Sequence, residues 1–347
     1  MSIKAVLIGC GGRGNLYATA LSKSAAFDLT AVCDLEPAAM DAIDKKNEMR
    51  TKHYTNYEEM VLAERPDAVF ICIWTRQHTP AVLFCARAGV KNIFCEKPMA
   101  ESPESMRKVA AVAQETGCAI SYLHQRRFSN GNLYVRKLIA EGHFGDILRL
   151  DLMVNKHLLD CGTHTIDQAF SYLNETPVKW VLGALDNSDP YYIYGIPSEG
   201  VFCGTLMYEN GLLCNLYCGY PNMPMPTGVR IFGTKGWADV EWEGNFKRWS
   251  FPTQPDWRPA NEAYYRQIAE KRLSPSPDDI AGLIQHAADC IQNGRETEIN
   301  WKRAYKCTEV IYAFYQSVKE NRMIYLPLDS NIKNSPYEDM VAEGRLG

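Results

Sequence analysis

The sequence predicts an α/β domain built on a parallel sheet, followed by a second domain of the α+β class. Three observations carry this. Short apolar runs alternate with helical patterns through the first third of the chain, as in a parallel sheet covered on both faces. A glycine cluster, "GCGGRG", joins the first run to the first helix. Beyond about residue 125 strands follow one another directly, the mark of an α+β arrangement.

In order, "IKAVLIG" (3–9) reads as a strand and 13–25 as a helix. "LTAVC" (29–33) is a second strand. "PAAMDAIDKKNEM" (37–49) is a helix with proline at its first position. "DAVFICI" (67–73), "NIFC" (92–95) and "AISYL" (119–123) are further strands, separated by helices at 78–88 and 102–116. The segment 147–155 alternates more. "VFCGTLMYENGLLCNLYCGY" (201–220) is a hairpin around Asn210-Gly211. A second antiparallel pair at 229–242 is expected to turn at Lys235-Gly236, and helices at 278–293 and 301–320 follow. The expected domains are 1–124 and 125–330, with 331–347 as an arm or loose tail. Two loops, 185–200 and 245–265, are rich in Pro, Trp and Tyr and read as insertions packed on themselves, although such rings also stack on sugars.

Bulk properties narrow the function classes. The 347 residues are 46% hydrophobic and 22% charged, with a net charge of -4. This balance fits a soluble protein with a real core and gives no basic stripe for nucleic acid. No apolar run approaches the ~20 residues that cross a bilayer, and the start breaks at glycine too early for a signal peptide. A cytoplasmic protein is expected. The 12 cysteines form no CxxC pair, so buried thiols in a reducing compartment explain them better than a zinc site, and no metal is expected.

Gly9, Gly11 and Gly14 fit GxGxxG in the required context, after a strand and opening a helix. The first makes the turn, the second lets backbone approach a pyrophosphate, and the third lets helix and strand pack closely. Gly12 and Arg13 lie in the same loop, and the helix N-terminus offers free N–H groups to phosphate. Asp34 stands twenty residues past Gly14, at the end of the second strand. There a carboxylate binds ribose hydroxyls and repels a 2′-phosphate, so NAD is expected rather than NADP.

The stretch "NIFCEKPMA" leaves a buried strand directly into Glu96, Lys97 and Pro98. Ligands of parallel sheets sit beyond the carboxyl ends of strands. Pro98 keeps Lys97 out of the helical region, so its amine stays aimed at the cleft rim. In "LLDCGTHTIDQAFSYL" (158–173), Asp160 and His164 are four residues apart on a helical pattern and share one face. Asp160 is expected near the helix start, where a carboxylate is favoured, so that it and His164 project towards one point; the plainer alternative is an Asp cap beside a half-buried histidine. A histidine with an ordinary pKa of ~6.5 takes a proton near neutral pH.

These motifs together resemble the Gfo/Idh/MocA oxidoreductases, the glucose–fructose oxidoreductase and inositol dehydrogenase superfamily. The likeness runs from "VLIGCGGRG" through "FCEKPMA" and "DCGTHTID" to "LPLDS". It implies a Rossmann domain to about residue 124 and a second domain with a large, mostly antiparallel open sheet. The open face of that sheet usually makes the oligomer contact, so a homodimer or homotetramer is expected. It implies Lys97, Asp160 and His164 as catalytic and substrate-binding residues. Glu96 would approach the nicotinamide ribose, and Thr75 and His78 would belong to the cofactor loop. That loop, "IWTRQHTP", departs from the usual Thr-Pro-Asn, and Trp74 would cover the nicotinamide side. Gln125 and Arg127 in "HQRRF", and Asn155, would line the substrate site.

The resulting expectation is reversible oxidation of a secondary hydroxyl on a sugar, glycoside or cyclitol, with hydride passing to NAD. His164 takes the hydroxyl proton, Lys97 stabilises the alkoxide, and Asp160 orients the imidazole or holds a neighbouring hydroxyl. One alternative is a glycosidase-like enzyme that uses transient oxidation and elimination. Another is a non-catalytic NAD-binding regulator, against which the intact Lys97, Asp160 and His164 argue.

Overall fold

The structure, a computed structural model, describes residues 2–188, 190–219, 227–242, 244, 246–250 and 279–346. The chain forms two compact units. The first is Met1–His124 with Tyr194–Ile196 and Ile280–Tyr305; the second is Gln125–Ile193, Pro197–Asp279 and Lys306–Gly347.

The first unit is built on six parallel strands: β1 (Ile3–Ile8), β2 (Phe27–Cys33), β3 (Lys52–Tyr54), β4 (Ala68–Ile71), β5 (Asn92–Cys95) and β6 (Ala119–Tyr122). Their order is β3-β2-β1-β4-β5-β6, so the direction of winding reverses between β1 and β4. The central strands are apolar throughout because helices cover both faces. Ala68, Val69, Phe70 and Ile71 of β4 are all fully buried. The helices are α1 (Gly12–Ser22), α2 (Pro37–Asn47), α3 (Tyr57–Glu64), α4 (His78–Arg87) and α5 (Pro103–Thr116). The boundaries of α5 follow from local chemistry. Ser102 accepts from the Ser105 N–H at its start, Pro103 opens it, and Gly117 ends it at φ 68°.

Sequence reading does not include β3 or α3. β3 is three residues of a polar edge strand, too short to show alternation. α3 follows Asn56, which caps the Glu58 and Glu59 N–H groups.

In the second unit α6 (Asn130–Ala140) and α7 (Thr163–Tyr172) accompany an eight-stranded sheet. Its strands are β7 (Ile147–Val154), β8 (Val178–Asp186), β11 (Val201–Tyr208), β12 (Leu213–Gly219), β13 (Gly228–Gly233), β14 (Gly236–Glu241), β15 (Phe246–Ser250) and β16 (Ile324–Tyr325). The order is β15-β14-β13-β7-β12-β11-β8-β16, and only the β7–β12 pair is parallel. The long helix Trp301–Glu320 crosses one face. Room for its Phe314 is made by Gly183 and Gly204, opposed in register. A Cβ on Gly204 would lie 2.5 Å from the Phe314 ring. The opposite face carries Leu182, Cys203, Thr205, Asn215 and Tyr217 in cross-strand register.

Three local features differ from expectation. The β13–β14 turn is Thr234-Lys235, between the paired Gly233 and Gly236, one residue earlier than Lys235-Gly236. The aromatic loop 185–200 holds a ribbon of β9 (Tyr191–Ile193) and β10 (Ile196–Ser198). Its turn residues, Tyr194 and Gly195, both have positive φ, as tight hairpins require. In the chain end, helix Pro336–Ala342, capped by Ser335, buries Tyr337 and Met340, so this segment is docked rather than loose. Of the loop 245–265, all but β15 lies outside the described residues. Among the described residues no helix is long and apolar enough to cross a membrane. All 12 cysteines are free, and no metal-ligating cluster occurs among the described residues.

Candidate functional site

In the first unit the candidate cofactor site grows from the point where strand order reverses, the usual ligand crevice of such sheets. Gly9 ends β1 at φ 91°, and a Cβ there would sit 2.3 Å from the Cys72 carbonyl beyond β4. A Cβ on Gly14 would sit 1.9 Å from the Gly9 carbonyl. These two glycines are demanded by packing. Gly11 and Gly12 are different: a Cβ on either meets nothing within 4 Å. Their bareness leaves open space in front of the α1 N-terminus, where no side chain caps the amides. Bare backbone and uncapped N–H groups suit a pyrophosphate. Asp34 is oriented by two main-chain donors, the Cys10 N–H at 2.6 Å and the Glu36 N–H at 2.9 Å. Each carboxylate oxygen keeps acceptor capacity for a ribose hydroxyl. The residues present therefore fit a dinucleotide.

The loop after β5 is held from several directions. The Glu96 N–H donates to Ile71 O at 2.8 Å. Glu101 accepts from Thr79 Oγ1 at 3.2 Å and also from Ser105 Oγ. The Lys97–Pro98 bond is cis. Lys97 is 8% exposed and Met99 and Ala100 are fully buried. Glu96 is buried; its Oε1 accepts no hydrogen bond among the described residues and lies 4.0 Å from Arg13 Nε. Burial pushes the Glu96 carboxyl pKa up, while Arg13 and Lys97 pull it back.

His78 has a different role from the one the family likeness implies. It is buried, with Nδ1 3.0 Å from Pro98 O and Nε2 3.0 Å from Ile73 O. A neutral ring donates to one of these two carbonyls, and the ring lies between them, so His78 bridges Pro98 of the Lys97 loop and Ile73 beyond β4. Burial lowers its pKa against the pull of those carbonyls. Thr75 is buried in a short 3-10 turn, Thr75–Gln77. Trp74 is 65% exposed. The hairpin tip rests on this loop: Arg76 Nε donates to Gly195 O at 3.1 Å, and a Cβ on Gly195 would touch the Trp74 ring at 3.6 Å.

Asp160 and His164 belong to the second unit. Leu158–Gly162 is one turn of π-helix running straight into α7. Both Cys161 and Gly162 donate to His157 O at 3.1 Å. Asp160 is therefore inside a wide turn and does not cap α7, whose preceding residue is Gly162. The four-residue pattern carries no hint of that wide turn, a form frequent at functional sites. Cys161 Sγ lies 3.4 Å from Asp160 Oδ2. His164 is 1% exposed and meets the Trp242 ring edge-on at 5.6 Å. Trp242 is fixed through its carbonyl, which accepts from Gln168 Nε2 at 2.7 Å and Asn132 Nδ2 at 3.0 Å. The Arg126 guanidinium lies 4.6 Å over its ring.

Two expected substrate residues are taken up by structure instead. Arg127 is buried and binds Asp167 through Nε and Nη2, each at 2.8 Å, and Glu175 through Nη1 at 2.6 Å. Burial opposes its charge, but the two carboxylates outweigh that and raise its pKa. It ties the segment after β6 to α7, with its guanidinium buried against these two carboxylates. Asn155 accepts from Thr227 Oγ1 at 2.9 Å and closes the end of β7. Gln125 is buried, and its Oε1 has no hydrogen-bond partner among the described residues.

Sequence reading misses Trp242 and Glu199. Glu199 is fully buried and accepts the Leu158 N–H at 2.7 Å, where the π turn begins. Neither residue belongs to a local motif, because each reaches its partner across the fold.

The strand order, the bare cradle at Gly11 and the oriented Asp34 define a dinucleotide-binding Rossmann domain. Comparison with known proteins agrees. Residues 3–124 match the oxidoreductase family's NAD-binding Rossmann fold, and 155–328 match its C-terminal alpha/beta domain. The chain belongs to the Gfo/Idh/MocA oxidoreductase family. An inositol 2-dehydrogenase of Rhizobium meliloti is 36% identical over 149 residues, 42% of this chain and 43% of that protein. A trans-1,2-dihydrobenzene-1,2-diol dehydrogenase of Mus musculus is 28% identical over 73% of this chain and 80% of its own length. The chain spans about half the length of the first curated relatives it matches. The WlbA dehydrogenase from Bordetella pertussis, solved with NADH and UDP-GlcNAcA, superposes with a TM-score of 0.77 at 19% identity. It covers 95% of this chain and 100% of its own.

Proposed function

We propose that this protein is an NAD-dependent dehydrogenase that reversibly oxidises a secondary hydroxyl of a sugar, glycoside or cyclitol. The observation that supports this most is the pinned loop around Lys97. Hydrogen bonds to β4, α4 and α5 hold the loop that carries Lys97 beside the carboxyl end of a strand in a domain with a dinucleotide cradle. Curated relatives named for inositol 2-dehydrogenase, 1,5-anhydro-D-fructose reductase and D-glucoside 3-dehydrogenase activities support the substrate class.

Gly11, Gly12 and the α1 amides receive the pyrophosphate, and Asp34 the adenosine ribose. When bound, NAD+ supplies the hydride acceptor. Lys97 donates a hydrogen bond to the substrate oxygen and stabilises charge as the hydroxyl loses its proton. His164 takes that proton, its ring held by the Trp242 edge. Asp160 holds the imidazole or an adjacent hydroxyl. Proton transfer of this kind contributes about 10²–10⁴-fold. A homodimer or homotetramer is proposed through the open sheet face, where Leu182, Cys203 and Tyr217 are exposed in adjoining strands.

The test is a panel of sugars, glycosides and inositols with NAD+, followed by reduced-nicotinamide absorbance. Net NADH formation with one of them is expected, and Lys97→Ala and His164→Ala should lose most turnover while still binding NAD. Turnover on catalytic NAD without net NADH would assign elimination chemistry instead. Ligand binding without turnover of any kind would assign a sensor.

A further inference from the structure

Glu199 is the most completely buried carboxylate with no assigned role: it has 0% exposure. Its Oε1 accepts the Leu158 N–H at 2.7 Å. Its Oε2 accepts Ser198 Oγ at 3.1 Å and the Tyr315 hydroxyl at 2.7 Å. Its main-chain carbonyl accepts His157 Nδ1 at 2.5 Å. No lysine or arginine pairs with it among the described residues. A buried carboxylate held by neutral donors alone is costly unless the site repays it in specificity.

What it holds is specific. His157 and Leu158 are the two residues that open the π turn, and both are anchored to Glu199. Leu158 also begins the continuous helical run Leu158–Tyr172, where a carboxylate meets the favourable end of the helix dipole. His157 is fixed a second time, stacked on Tyr191 at 4.7 Å and 9°. Behind Glu199 the support continues. The Tyr315 ring packs on Tyr337 of the docked C-terminal helix at 5.2 Å, and the Tyr337 hydroxyl reaches Asn187. Each of these side chains is at most 3% exposed, apart from the rim residues Tyr191 and Asn187.

A π turn is wider than an α turn and is used in short pieces where side chains must be re-aimed. Asp160 lies two residues beyond the anchored Leu158 N–H, and His164 one helical turn further. We infer that Glu199 is a positioning residue for Asp160 and His164, holding the register of the π turn from behind, with Tyr315 as its brace. The inference rests on the oxidoreductase reading above and adds a residue that touches neither substrate nor cofactor.

The experiment pairs exchange with kinetics on the full-length protein, using Glu199→Ala, Glu199→Gln and Tyr315→Phe. Hydrogen–deuterium exchange of peptides covering 157–164 is expected to quicken by about tenfold or more in Glu199→Ala, since the Leu158 amide loses its acceptor. Glu199→Gln keeps an oxygen for that N–H and should rescue most of the protection. For the polyol that the panel identifies, kcat should fall about 10–100-fold in Glu199→Ala with a much smaller change in KM. The deuterium isotope effect on kcat should rise, and NAD affinity should stay at the wild-type value. A partly unfolded preparation lowers kcat without moving the isotope effect, so the two are separable. If Glu199→Ala does not fold, Glu199→Gln and Tyr315→Phe must show the same order in both readouts. Unchanged exchange at 157–164 overturns the inference, as does faster exchange with wild-type kcat and isotope effect. If the unsubstituted protein oxidises nothing, the oxidoreductase reading fails, and the positioning role fails with it even where exchange quickens.

Discussion

The glycine cradle yields the sharpest prediction, because Gly11 and Gly14, three chain positions apart, should respond to alanine in opposite ways. At Gly14 an added Cβ would lie 1.9 Å from the Gly9 carbonyl, backbone against backbone, with no flexible group to move aside. Relief requires shifting α1 away from β1, the class of change that costs about 3 kcal/mol or more. At about 2–4 °C per kcal/mol for a unit of this size, Gly14→Ala should lower the melting temperature of the first unit by roughly 6–12 °C. At Gly11 the same methyl meets nothing within 4 Å, and the backbone, at φ −65° and ψ −165°, is open to alanine. The folded state is not strained. Fewer unfolded conformations should even stabilise it by about 0.4–1 kcal/mol. The methyl instead fills the space in front of the uncapped α1 amides. NAD affinity should therefore drop at least tenfold, about 1.4 kcal/mol. Calorimetry and titration with NAD on both variants decide the matter. Wild-type NAD affinity in Gly11→Ala, or a melting temperature that falls as in Gly14→Ala, refutes the cradle.

Further predictions follow from the buried charges. Glu64 is buried, hydrogen-bonded by Lys52, Tyr54 and paired with Lys4, and these donors bring its pKa down from 4.5 to about 2. A depressed carboxylate stabilises the fold above the unfolded pKa and loses that contribution as pH falls from about 4.5 towards 2. At 1.36 kcal/mol per pH unit the shift is worth up to about 3 kcal/mol, less because the lysine ends are exposed. Glu64→Gln should thus lower stability at neutral pH and flatten the acid limb of a melting-temperature profile; a variant with the wild-type profile contradicts this. Arg127→Met strands Asp167 and Glu175 and should cost about 3–5 kcal/mol, measured by urea unfolding. A normal unfolding midpoint with a raised KM would return Arg127 to the substrate site.

Legibility from sequence followed the range of each interaction. Strand–helix alternation, the hairpin at Asn210-Gly211 and the glycine turn are short-range, and their signals were readable. Glu96-Lys97-Pro98 stood out because charges at the end of an apolar run conflict with burial. The failures are long-range. Arg127 reads as a cleft cation, yet its partners are 40 and 48 positions away. His78 reads as a loop residue next to a cofactor, but Pro98, twenty positions on, claims its ring. The π turn is invisible because its cause is Glu199, 41 positions from Leu158. Thr234-Lys235 was displaced by one residue because Gly233 and Gly236 flank the turn equally well.

The most direct measurement is single-turnover absorbance with excess NAD+ and the best polyol of the panel, comparing wild type with Lys97→Ala and His164→Ala under saturating cofactor. The account predicts rapid reduction of one equivalent of NAD+ by the wild type and almost none by either variant, each still binding NAD with wild-type affinity. Equal reduction rates in all three proteins would contradict it.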